Sequence, residues 1–81
     1  MALSYTSGRY LSFACKAERA GRHTLARRFL FIATHKRWQR ARMLLAAANG
    51  SGKAHQRSEA MRVLNRAASD MRAAYKAMKT A

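Results

Sequence analysis

Apolar residues recur along most of this chain with helical spacing. Tyr10, Phe13, Ala14 and Ala17 stand at i, i+3, i+4 and i+7, which lines them on one face of a helix. Thr6 and Ser7 precede that stripe, and either hydroxyl can accept a bond from a free amide of the first turn. Gly21 follows it and takes a left-handed conformation without steric penalty, so it ends the helix. The pattern predicts a first helix over residues 7–20, after an irregular lead at 1–6.

A second helical stretch runs over 23–48. Leu25, Phe29, Ile32 and Ala33 share one face; Trp38, Ala41, Leu45 and Ala48 share another, turned by roughly 120°. Thr34-His35-Lys36 lies between them. The helix either breaks near 34–36 or runs through and buries different sides at its two ends. Nothing in the triplet is a strong breaker, so we read it as continuous. Asn49-Gly50-Ser51-Gly52 reads as an inter-helix loop. A third helix follows over 53–79, where Met61, Leu64, Ala68, Met71, Tyr75 and Met78 step alternately by three and four. That is a seam facing a core, too short for a free-standing coiled coil.

These patterns predict an all-α single domain over 1–81, an elongated three-helix bundle or helical hairpin with the first helix packed on part of it. Helices of this length reach roughly 40 Å, more than the width of a compact body of this size. Some apolar surface must then stay uncovered, and Phe31 and Trp38 are expected to be left over, with self-association as one use for them. The spacing of Tyr10, Phe13, Ala14, Gly21, Ala26, Leu30 and Ala33 resembles a single tetratricopeptide-type hairpin over residues 10–33. No second copy follows, and such repeats need neighbours to bury their faces. The resemblance implies the packing of an antiparallel helix pair, not family membership.

Composition agrees: the chain has no proline, much alanine and few β-branched residues. Its 49% hydrophobic content excludes a disordered basic tail. Charge changes the picture more. Seventeen Lys and Arg face three acidic residues, for a net charge of +14. Like charges on so small a body repel, and the imbalance points to a polyanionic partner. Arg outnumbers Lys, and its planar fork matches phosphate or carboxylate in two bonds at once.

Catalysis has little to work with. Glu18, Glu59 and Asp70 are far apart in sequence, and His23, His35 and His55 lack ligand spacing. No catalytic residue, metal or cofactor is expected. Gly50-Ser51-Gly52-Lys53 fails as a phosphate loop, since Ala47 and Ala54 stand where Gly and Ser or Thr are needed. Ala17-Glu18-Arg19-Ala20-Gly21 resembles the first half of a helix-turn-helix, but Arg22 and Arg27 occupy positions that motif keeps apolar. Cys15 is the single cysteine, which fits a reducing, intracellular and cytoplasmic setting. Its apolar neighbours read it as a small buried hydrophobe. The apolar runs at 29–33 and 43–48 fall far below the ~20 residues of a membrane span. Residues 1–30 have the Arg bias of a mitochondrial presequence, but that bias continues to residue 80 and belongs to the whole chain.

The strongest functional stretch is His35-Lys36-Arg37-Trp38-Gln39-Arg40-Ala41-Arg42, cations around one large aromatic. Arginine-rich helices bind nucleic acid, and an aromatic ring can stack on an unpaired base. The expected anion-binding set is Arg22, Arg27, Arg28, Lys36, Arg37, Arg40, Arg42, Arg62 and Arg66. Trp38, Phe31 and Tyr75 are the expected stacking residues or protein hot spots. The alternative expectation is a small adaptor or inhibitor, of the type made by phages and mobile elements. Such a protein would dock on a larger one, for instance in the acidic or nucleic-acid channel of a processing enzyme. A membrane surface fits less well, because no face carries enough large apolar residues.

Overall fold

The structure is a computed structural model and describes residues 6–80. The lead expected at 1–6 therefore lies outside the described residues except for Thr6. Three helices, α1 (Ser7–Arg19), α2 (His23–Ser51) and α3 (Ala54–Lys79), take up 91% of the described residues, among which there is no strand.

Thr6 caps α1, its Oγ1 accepting from the Arg9 N–H at 3.3 Å. At the other end Gly21 sits at φ 77°, the Gly21 N–H bonds the Glu18 carbonyl and the Arg22 N–H bonds the Ala17 carbonyl. That double closure is the usual glycine stop, as the sequence predicts. Helix α2 passes through Thr34-His35-Lys36 unbroken. The Thr34 hydroxyl, which is buried, donates to the Phe31 carbonyl at 2.8 Å, so it fills its own hydrogen bond without opening the helix.

The expected loop at 49–52 is corrected. Helix α2 continues through Asn49 and Gly50 to Ser51, and the chain turns only at Gly52 (φ 71°) and Lys53. Only Gly52 adopts the left-handed conformation that requires glycine, whereas Gly50 is an ordinary helical residue. Ser51 helps the turn: its Oγ donates to the Ala48 carbonyl at 2.7 Å and receives the Lys53 N–H at 3.4 Å.

Helix α2 is the spine. Both α1 and α3 pack against it antiparallel, and α1 and α3 do not touch each other. The result is flat and long, 48 × 29 × 19 Å. Its radius of gyration is 14.7 Å, where a compact domain of this length has about 12 Å. The core is alanine: Ala14, Ala17, Ala26, Ala33, Ala41, Ala48 and Ala74 are buried, and no large side chain is fully enclosed. Small side chains let helix backbones approach closely, so larger neighbours are left half-covered at the edges of each contact.

That closeness moves the seam of α3. Of the expected seam, Leu64, Ala68, Met71 and Met78 are turned inward, joined by Ala60, Ala67, Ala74 and Ala77, while Met61 and Tyr75 are 45% and 44% exposed. The 3-4 spacing is as expected, but the strip is rotated toward alanine. On α2 the matching positions are Thr34, Ala41 and Ala48, seven apart. Ala41 lies beside Ala67 and Ala48 beside Ala60. At the N-terminal half of α2, Tyr10 and Phe13 of α1 pack on Phe29 with ring centroids 6.2 and 5.5 Å away.

Candidate nucleic-acid interface

On α2, Arg28, Phe31, His35, Trp38 and Arg42 are spaced by three and four, so they form one strip. The three aromatic rings of that strip run in series, Phe31 to His35 at 5.9 Å and His35 to Trp38 at 5.6 Å. Tyr75 of α3 joins the end of the series, 5.6 Å from Phe31. Cations close it at both ends. The Arg42 guanidinium lies 4.9 Å from the centre of the Trp38 ring, and the Lys79 ammonium 5.2 Å from that of Tyr75. Each is within the range at which a ring face attracts a positive charge.

Phe31, Trp38 and Tyr75, named separately from the sequence, are thus brought together. The expectation that Phe31 and Trp38 are left over is corrected. Both are half-buried, because their neighbours in the row cover part of each ring. The apolar side chains that do stand out are Met43 (73% exposed) and Leu44 (50%). His35, which the sequence reading placed in the cationic stretch but not among the stacking residues, is the added member; its position four after Phe31 and three before Trp38 already set it between them.

The expected cationic set does not form one patch. Arg28 and Arg42 belong to the ring strip. Arg37 and Arg40 turn away from it by more than a quarter of the helix and meet Arg66 of α3 around Leu44, with Asp70 in the same hollow. Lys36 leans toward α1, its ammonium 5.6 Å from the centre of the Tyr10 ring. Arg22 lies by the Tyr10, Phe13 and Phe29 cluster. Arg27 is half-buried against Leu11, Ala14 and Cys15. Arg62 is paired with Glu59 at 3.6 Å, both on the surface, which counts for little in stability.

Among the described residues one other ion pair occurs, between His23 Nδ1 and Glu18 Oε1 at 2.8 Å, bracketing the α1–α2 turn. Most of the seventeen cations therefore have no carboxylate to balance them. Arg72 and Lys79 lie on the same side of α3 as Tyr75, three before it and four after it. The ring strip is thus edged by Arg28, Arg42, Arg72 and Lys79.

Cys15 is exposed rather than buried, a further correction. Ala14 and Ala17 take the inward positions of α1, and Cys15 falls one residue outside that strip. Among the described residues no three His, Cys, Asp or Glu side chains gather where they could hold a metal ion. No described helix is long and apolar enough to cross a membrane. No family model, curated protein sequence or solved structure matches this chain.

Proposed function

We propose that this protein binds nucleic acid, chiefly through phosphates, with unpaired bases stacking along the ring strip. The observation that carries the reading is the series Tyr75, Phe31, His35 and Trp38 closed at both ends by Lys79 and Arg42. An aromatic surface edged by cations suits a backbone that is charged and a base that is flat. The net charge of +14 supplies the long-range attraction. No side-chain pair is arranged to read a base edge, so the binding is proposed to depend little on sequence.

Salt dependence tests it. With 6–10 phosphates engaged, affinity for a single-stranded oligonucleotide falls by roughly 10³–10⁵ between 50 and 200 mM salt. Trp38→Ala lowers affinity for the same strand by about 1–3 kcal/mol and leaves duplex binding less affected. A flat salt profile in fluorescence anisotropy overturns the reading. Equal losses on single strand and duplex would remove the stacking part and keep the phosphate part.

A further inference from the structure

The side of α2 that receives α1 does not end where α1 does. Phe29 and Ala33 lie on that side; Lys36 and Arg40 repeat them seven residues on, and Met43 and Ala47 repeat them again. Thr6 and Ser7, where α1 begins, sit beside Lys36, Gln39 and Arg40. From there the groove continues over Met43, Leu44 and Ala47 with no described residue packed on it. The stretch from Arg40 to Ala47, on which no described residue is packed, is roughly 11 Å long, about two helical turns. Its floor is apolar and its shape is set by helix-on-helix packing, since the same strip already holds a helix one length back.

The chemistry of the rim narrows the occupant. Arg37 and Arg40 border the groove beside the α1 terminus, and its lining contains no carboxylate. Across Leu44 the neighbouring hollow adds Arg66 and Val63, with Asp70 as its single acid. A second copy of the chain would bring another +14 and only three carboxylates of its own, so it is a poor complement. Nucleic acid could meet Arg37 and Arg40 with its phosphates, but a charged backbone leaves the apolar Met43, Leu44 and Ala47 unmatched, and no ring is there for a base to stack on. We propose that this groove docks an amphipathic helix of a partner protein, with apolar anchors at i, i+3 or i+4 and i+7 on the floor and Asp or Glu on its flanks toward Arg37 and Arg40. This surface is separate from the ring strip and does not depend on the nucleic-acid reading.

The probe is a fluorescein-labelled synthetic helix of about 18 residues, leucine on one face and glutamate on the flanks, at about 0.3 M salt so that diffuse attraction is screened. Binding to the full chain is measured by anisotropy. The Met43→Ser/Leu44→Ser double variant should weaken it about tenfold or more, and Arg37→Gln/Arg40→Gln by a similar factor. Oligonucleotide affinity of the Met43→Ser/Leu44→Ser chain should stay within about twofold, with helix content unchanged by circular dichroism. A peptide whose glutamates are replaced by glutamine should bind more weakly than the parent. The proposal is overturned if the double variant binds the peptide as the parent does, which would leave only unspecific charge attraction. It is also overturned if that variant loses oligonucleotide affinity in parallel, which makes the groove part of a nucleic-acid surface. Sedimentation showing a dimer that the double variant dissociates would give the groove to a second copy and overturn it too.

Discussion

The two halves of α2 differ in what surrounds them. The first half is held on one side by α1 and on the other by the end of α3. There Ala33 is 0% exposed and Tyr10, Phe13 and Phe29 are half-buried. Among the described residues only α3 packs on the second half, and Met43 reaches 73% exposure. The backbone is one regular helix throughout. The difference comes from length: α1 has 13 residues and α2 has 29, so α1 covers roughly 20 Å of a rod more than twice as long. A two-helix arm therefore projects from a three-helix base, and the base supplies most of the stability while the arm supplies exposed surface.

Substitutions can break that division. Ala33 is where α2 has no spare room, so Ala33→Leu should destabilise the chain by about 1–3 kcal/mol in a urea titration. The exposed Met43→Ser should stay within about 0.5 kcal/mol in the same assay. Equal effects would mean that arm and base are not distinct. At the tip of the arm the two glycines should respond with opposite signs. Gly52→Ala places a side chain at φ 71° and should cost about 1–2 kcal/mol. Gly50→Ala, inside the helix with nothing within 4 Å of the added carbon, should raise stability by about 0.5–1 kcal/mol. A gain at both positions would show that the turn is not closed at Gly52.

Much of the fold was legible because helices announce themselves locally. The i, i+3, i+4, i+7 stripe of α1 and its glycine stop need only neighbouring residues, and both stand where the pattern puts them. The 49–52 loop was misplaced for the same local reason. Asn-Gly is a turn signal by itself, but the run Ala46-Ala47-Ala48 carries the helix through Gly50, and the second glycine then makes the turn. The seam of α3 was offset because large apolar residues were expected to face inward. In a thin, three-helix raft the close contact selects alanine, and Met61 and Tyr75 move to the margin. The split of the cations needed no structure: Arg37 and Arg40 leave the strip of Trp38 and Arg42 by helical spacing alone.

Composition and periodicity by themselves determined three helices, the glycine stop of the first, a strong positive charge and the absence of any convincing catalytic motif. These follow from backbone propensity, from helical spacing and from counting. Which face each helix buries, how far α1 reaches along α2, and that Tyr75 meets Phe31 from residues 44 apart in the chain were decided only in three dimensions. Those features depend on how closely helices approach, and that distance is set jointly by side chains on different helices.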